Sequence, residues 1–132
     1  GDLKSELEQL VTELGLTDSI KFLGHKSQTE LVAEYCKANT LVLPSLNEVW
    51  GLVVNEALAC GLNVVVSENC GISSDIKQMA GVYISACDVK SIATQMAESR
   101  TNWTGYHDKP EILQYGIDQY GKSFLDAIHE LR

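Results

Sequence analysis

The chain carries the segment TLVLPSLNEVWGLVVNEALACG from Thr40 to Gly61, and this segment decides the fold class. Its apolar start predicts a buried strand at residues 40–43, which runs into a Pro-Ser loop that carries Glu48. An Ala-containing stretch with Glu56 inside it predicts a helix. Ligands of α/β sheets bind where such a strand ends and its loop leads into a helix. The two carboxylates therefore bracket a candidate ligand site.

The flanking sequence predicts strands and helices in alternation. Short apolar runs predict further strands at residues 20–23, 63–67 and 82–84. Helical spacing and capping signals predict helices near residues 3–14, 27–38, 52–60, 73–79 and 88–99, and a last helix after Pro110. Strands that alternate with helices imply βαβ units. We therefore expect an α/β fold with a parallel sheet, formed by a single domain over residues 1–132.

The predicted start of the helix at residue 52 suits a phosphate group. The first N–H groups of a helix lack intrahelical partners and lie at the positive end of its dipole. We expect the backbone N–H groups of Trp50, Gly51 and Leu52 to bind this phosphate. Glu56 lies one turn further, roughly 5–8 Å from the helix start at 1.5 Å per residue, which is about the distance from a pyrophosphate to its ribose. Glu48 is better placed for sugar hydroxyls beyond the phosphates, so the junction predicts a nucleotide-sugar site.

These two glutamates match the E-x7-E motif of retaining glycosyltransferases with the GT-B fold, and the surrounding sequence resembles glycosyltransferase family 4. The resemblance runs from about Leu14 to Met96. Its motifs follow one another in order: Ile20-Lys21-Phe22-Leu23-Gly24, Pro44-Ser45, Trp50-Gly51-Leu52, Glu56-Ala57, Cys60-Gly61, Asn63-Val64-Val65-Val66-Ser67 and Gly71.

The chain departs from the family pattern on the sugar side of the site. Leu62 and Asn63 stand where the family usually has a Pro shortly after the glycine at 61. Ile72 and Asp75 stand where a second Gly and a Glu often occur.

The resemblance implies a Rossmann-like parallel sheet flanked by helices, as an incomplete C-terminal domain of a GT-B glycosyltransferase. This domain binds the nucleotide diphosphate sugar. We expect its first strands, an Arg- and Lys-bearing loop for the diphosphate, and the N-terminal acceptor domain to lie outside this chain. The chain alone is therefore expected to be inactive.

The resemblance also implies roles for individual residues. Glu48 is the predicted catalytic residue and contacts the transferred sugar, while Glu56 contacts the ribose. The other predicted donor-binding residues are Trp50, Gly51, Leu52 and Gly24. The reaction is expected to need no metal ion and no cofactor, and the acceptor is unknown.

The composition limits the classes of binding partner and indicates the cellular compartment. The net charge is 10 − 18 = −8, which argues against nucleic acid, because nucleic-acid binding depends on Lys and Arg that neutralise phosphates. It also argues against contact with an anionic membrane through this segment. The four cysteines have no metal-site spacing and are expected to be reduced thiols. We expect a cytoplasmic protein; attachment to a membrane surface through a missing domain stays open.

Two alternatives remain from the sequence. The first is an α/β domain that binds nucleotides or a partner protein without catalysis. The second is another GT-B activity, such as a sugar-nucleotide epimerase.

Overall fold

A computed structural model describes residues 2–116 of the chain. The chain forms two compact units, Gly1–Leu31 and Val32–Arg132. The predicted last helix after Pro110 lies outside the described residues from residue 117 onward. The proposal of a single nucleotide-sugar-binding domain stays a prediction.

The first unit is built on helix α1, which spans Lys4–Glu13. Gly15 follows the helix in the left-handed conformation, with φ of 66°, as expected for a glycine that ends a helix. The predicted strand at residues 20–23 is wrong, because these residues adopt no regular structure. A strand needs a neighbour for its backbone hydrogen bonds, and none of the described strands pairs with these residues.

Helix α2 spans Gln28–Tyr35 and begins with the predicted capping box. The N–H of Ser27 donates to the carboxylate of Glu30 at 2.9 Å, and the N–H of Glu30 donates to the hydroxyl of Ser27 at 3.4 Å. This pair of bonds satisfies two of the N–H groups that every helix start leaves without partners. The bonds from Ser27 lower the pKa of Glu30.

The second unit contains a parallel sheet in the order β1-β2-β3. The strands are β1 (Thr40–Leu43), β2 (Asn63–Ser67) and β3 (Val82–Ser85). The connecting helices are α3 (Leu52–Ala59), α4 (Ser73–Ile76) and α5 (Val89–Thr101), and a short 3-10 helix spans Glu111–Tyr115. Three predicted strands and the helices between them are thus confirmed.

The centre of the second unit is β2, in which every residue is buried. Both faces of the strand are therefore covered, as expected for the middle strand of a parallel sheet. Helices α3 and α5 both pack against β2. On α3 the buried side chains are Val54, Ala57 and Leu58, so the helix that carries Glu56 is held against the sheet by an apolar face.

Polar contacts occupy the amino-terminal edge of the sheet. The hydroxyl of Ser99, at the end of α5, lies 2.8 Å from that of Thr40 and accepts a hydrogen bond from the amide of Asn63 at 3.2 Å. The ring of His107 lies 3.1 Å from the same Asn63 side chain. These side chains use their hydrogen-bonding groups on one another. Ligands of such sheets bind at the carboxyl ends of the strands, so the carboxyl-terminal edge is the expected location of a ligand site. Within residues 2–116, no helix is long and apolar enough to cross a membrane.

Candidate functional site

The loop after β1 pairs with the loop after β2 at the carboxyl-terminal edge of the sheet. Glu48 and Cys70 form an isolated parallel bridge. The N–H of Gly71 donates to the carbonyl oxygen of Glu48 at 2.9 Å, and the N–H of Ile72 donates to that of Trp50 at 3.1 Å. The backbone of Glu48 is thus fixed by hydrogen bonds to the neighbouring loop.

Gly51 is the residue at which this loop turns into α3. Its φ of 94° lies in the left-handed region, which side chains other than glycine rarely adopt. A Cβ atom added there would lie 2.7 Å from Cys70 Sγ and 3.4 Å from Leu43 Cδ2. Gly51 is therefore required by its own backbone and by its neighbours, in addition to any ligand.

Gly71 has even less space for a side chain than Gly51, although its backbone is not in the left-handed region. A Cβ added at this position would overlap the carbonyl oxygen of Val49. The two loops can therefore pair at this distance only because residue 71 has no side chain. The close pairing is the physical reason for the glycine that the sequence motif contains.

A second set of contacts joins all three loops at this edge. The side-chain amide of Asn69 donates to the carbonyl oxygen of Leu46 at 3.2 Å and lies 3.3 Å from Cys87 Sγ. Cys87 donates to the carbonyl oxygen of Ser45 at 3.4 Å and lies 2.8 Å from the hydroxyl of Ser67. The loops after β1, β2 and β3 therefore form one connected edge.

The start of α3 presents free N–H groups at this edge. Among residues 2–116, no acceptor contacts the N–H of Gly51, Leu52 or Val53. The N–H of Trp50 instead donates to Glu48 Oε1 at 3.3 Å. Of the three N–H groups predicted from the sequence, those of Gly51 and Leu52 are free and that of Trp50 is used by the glutamate.

Glu56 lies on α3 about 6 Å along the helix axis from Leu52, at 1.5 Å per residue. Glu56 as a whole residue is partly buried, and its Oε2 accepts a hydrogen bond of 3.1 Å from the hydroxyl of Tyr35. Burial and this carboxylate raise the pKa of Tyr35 to about 12. Sequence reasoning missed Tyr35, because the two residues lie 21 positions apart and no local pattern connects them.

The side chain of Trp50 is partly exposed and lines a surface cavity of about 460 Å³ together with Asn55, Ile72 and Asp75. Asn55 Oδ1 is buried and has no hydrogen-bond partner within the described part of the chain. The cavity lies beside the start of α3.

Gly24 belongs to the first unit and has φ of 69°. It lines a surface cavity of about 530 Å³ there, together with Lys21, Phe22 and Leu23. The structure thus brings five of the predicted residues together on one loop and helix: Glu48, Trp50, Gly51, Leu52 and Glu56. The donor-binding role of Gly24 stays a prediction.

The described residues contain no group of three or more His, Cys, Asp or Glu side chains that could hold a metal ion. The site residues are backbone amides, carboxylates and a phenol. Amides at a helix start can bind anionic oxygens, and carboxylates can accept hydrogen bonds from hydroxyls. The arrangement therefore suits a ligand with both phosphate and hydroxyl groups.

Comparison with known families gives a match over most of the chain. The family described as "Glycosyl transferases group 1" matches residues 1–115.

Two curated proteins show the extent of the similarity. The chain is 38% identical over 88 residues to a D-inositol 3-phosphate glycosyltransferase of Salinispora arenicola, covering 66% of this chain and 20% of that protein. It is 34% identical over 104 residues to an uncharacterized glycosyltransferase of Methanocaldococcus jannaschii, covering 78% of this chain and 27% of that protein. The chain thus spans a minor part of the length of these relatives.

Among solved structures, sucrose-phosphate synthase from Thermosynechococcus elongatus is similar, with a TM-score of 0.70 and 29% identity. The similarity covers 77% of this chain and 26% of that one. Together with the parallel sheet and its flanking helices, it confirms the predicted fold class, a Rossmann-like α/β fragment of the GT-B type.

Proposed function

Because the chain belongs to the glycosyl transferases group 1 family, we propose that it supplies the donor site of a retaining, metal-independent glycosyltransferase of family 4. The reaction moves a sugar from a nucleotide diphosphate sugar to an acceptor and keeps the anomeric configuration. The observation that carries this proposal is the joint placement of the free N–H groups of Gly51 and Leu52 and the carboxylate of Glu56 on one short helix.

The start of α3 is proposed to bind the diphosphate. The leaving group of the reaction is a nucleoside diphosphate, so stabilising its negative charge lowers the barrier. The N–H groups of Gly51, Leu52 and Val53, which have no acceptor among residues 2–116, lie at the helix start, where the dipole corresponds to roughly half a positive charge. On a chain of net charge −8, this partial charge is small against a diphosphate. We expect cations from outside residues 1–132 to complete the site, and the chain alone to bind nucleotides weakly and show no turnover.

Glu56 is proposed to bind the ribose. It lies one helical turn from the phosphate-binding N–H groups, which is about the separation of the two parts of a nucleoside diphosphate. Its carboxylate oxygens can accept hydrogen bonds from two neighbouring hydroxyls. Because Tyr35 uses Oε2, the first position for a ribose hydroxyl is Oε1.

Glu48 is proposed to orient the transferred sugar. Its backbone is fixed by pairing with the loop after β2, and its side chain accepts the N–H of Trp50 at 3.3 Å. The carboxylate therefore stays on its own loop beside the helix start. From there it can accept hydrogen bonds from sugar hydroxyls and favour the positive character that develops on the sugar ring during transfer.

The test of the ribose role uses the full-length protein that contains this segment. Glu56→Ala should weaken binding of free nucleoside diphosphates, measured by isothermal titration with UDP, GDP and ADP, by about 10- to 150-fold, since hydrogen bonds to a charged group are worth ~1.5–3 kcal/mol. Glu98→Ala is the matched charge control. Glu98 is exposed on α5 beside Ser99, which contacts the amino-terminal residues of β1 and β2. Unchanged affinity of a folded Glu56→Ala protein would rule out the ribose contact.

Glu48→Gln tests the sugar role separately. The substitution keeps an acceptor for the N–H of Trp50 but removes the charge. The turnover number kcat should fall by a larger factor than the affinity for the sugar donor, because the proposed interaction strengthens in the transition state. Affinity for free nucleoside diphosphate, which has no sugar, should be unchanged or slightly higher. A loss of free-nucleotide affinity as large as that of Glu56→Ala would contradict this division between the two glutamates.

A further inference from the structure

Tyr35 is a buried residue whose hydroxyl is directed at Glu56. It is the last residue of α2, only 5% of its surface is exposed, and it donates to Glu56 Oε2 at 3.1 Å. Burial raises the pKa of its phenol to about 12, so the hydroxyl stays protonated near neutral pH and remains a hydrogen-bond donor.

The carboxylate of Glu56 has few other partners. Within the described residues no Lys, Arg or His nitrogen forms an ion pair with it, and Tyr35 is the side chain that donates to it. Burying a polar group is costly unless it is hydrogen-bonded, so a partly buried residue such as Glu56 favours a further hydrogen-bond donor. Oε1 has no protein donor among residues 2–116, so this oxygen is available to a ligand.

We propose that Tyr35 is a positioning residue, which fixes the carboxylate of Glu56 so that its free oxygen meets the ribose hydroxyls of a bound nucleoside diphosphate. A glutamate on a helix surface samples several rotamers, and ordering it when a ligand binds costs entropy. A phenol that is held by burial and bonded to one oxygen sets the rotamer in advance. This inference rests on the proposed function, because it refines the ribose contact of Glu56.

A purely structural role predicts something different. If the hydrogen bond only joined the end of α2 to α3, its loss would lower stability and weaken all ligands alike. A positioning role acts on the ribose hydroxyls alone. The ratio of affinities for a nucleoside diphosphate and its 2′,3′-dideoxy form therefore separates the two roles.

The chain offers a matched control for the same end of α2. The hydroxyl of Tyr106 donates to the carbonyl oxygen of Cys36 at 2.9 Å, so it bonds to the residue next to Tyr35 and forms no hydrogen bond with Glu56. Tyr35→Phe and Tyr106→Phe each remove one hydroxyl and keep the ring. Keeping the ring also preserves the buried volume at position 35, so both variants are expected to fold.

The experiment measures binding of UDP, GDP and ADP and of their 2′,3′-dideoxy forms to the full-length protein and its variants, by isothermal titration. Tyr35→Phe should lower the preference for the ribose form by roughly three- to tenfold, a part of what a hydrogen bond to a charged group can provide. Tyr106→Phe should leave the preference unchanged. In a protein that already carries Glu56→Ala, adding Tyr35→Phe should lower the preference for the ribose form no further.

Each other outcome overturns the inference in a recognisable way. If Tyr35→Phe leaves the preference intact while Glu56→Ala removes it, the positioning role fails and the ribose site stands. If both phenylalanine variants lower it equally, the effect comes from general loosening of α2. If Glu56→Ala itself leaves the preference intact, the proposed ribose contact is wrong and the role of Tyr35 falls with it.

Discussion

The substitution Gly51→Ala tests whether the loop before α3 has the left-handed backbone at Gly51 and the close contact with Cys70 that the structure shows. Two contributions to the loss of folding stability add at this position. The left-handed conformation of Gly51, with φ of 94°, costs an alanine roughly 1–2 kcal/mol. The new Cβ would also lie 2.7 Å from Cys70 Sγ, and such overpacking costs roughly 1–3 kcal/mol more. We expect a total loss of about 2–5 kcal/mol, which is a large part of the ~5–15 kcal/mol of a typical domain.

Gly105→Ala is the control for the backbone contribution. Gly105 also has a positive φ, of 121°, but a Cβ there would meet nothing within 4 Å. Its replacement should therefore cost only the conformational part, roughly 1–2 kcal/mol. Both variants gain the same reduction of freedom in the unfolded chain, so this contribution cancels in the comparison.

The assay is urea unfolding of the chain, followed by tryptophan fluorescence and circular dichroism. Trp50 and Trp103 both belong to the second unit, so their fluorescence reports on the sheet that carries the site. The double variant Gly51→Ala, Cys70→Ala removes the sulfur that the new methyl group meets, and should recover the steric part of the loss relative to Cys70→Ala alone. If Gly51→Ala costs no more than Gly105→Ala, the contact with Cys70 has no energetic weight and the reasoning fails.

Three further predictions concern stability. Gly71→Ala should cost at least roughly 1–3 kcal/mol in urea unfolding, because its Cβ would overlap the carbonyl oxygen of Val49; a wild-type midpoint would contradict the loop pairing. Asp88→Ala should cost about 0.5–2 kcal/mol, because the Asp88 side chain caps α5, and an unchanged midpoint would show that the cap contributes nothing. Burial and the carboxylate of Glu56 raise the folded-state pKa of Tyr35 to about 12 from its ordinary value of 10.0, so the contribution of Tyr35 to stability is complete below pH 10 and is lost as pH rises towards 12. The stability difference between wild type and Tyr35→Phe should therefore shrink over this interval, and a difference that grows would contradict the assignment.

The parts of the fold that the sequence predicted correctly are those with local causes. The apolar run of β2 and the capping box of α2 are patterns of neighbouring residues, and the structure contains both. The strand expected at residues 20–23 failed because a strand depends on a partner that a local pattern does not contain.

In the candidate site, too, the features with local causes could be predicted and the contacts between distant residues could not. The order of the loop, the glycine at 51 and the helix that carries Glu56 follow from short-range patterns. The partners of these residues do not: Tyr35 meets Glu56 across 21 positions, and Cys70 meets Gly51 through pairing of two separate loops. Single-sequence patterns contain no information on such contacts, which arise only once the sheet has brought the loops together.

The two proposed halves of the donor site differ in how they are held. The N–H groups proposed to bind phosphate lie at the start of the helix that carries Glu56, so the helical rise fixes their spacing, and the buried Val54, Ala57 and Leu58 fix the helix on the sheet. Glu48 instead depends on the pairing of its loop with residues 70–72. Loosening that pairing should therefore displace the carboxylate of Glu48, while the spacing between the proposed phosphate and ribose sites stays set by α3. We thus propose that α3 binds the nucleoside diphosphate and that the separate loop before it binds the attached sugar. Substitutions in the loop should therefore affect turnover, and substitutions in the helix should affect nucleotide affinity.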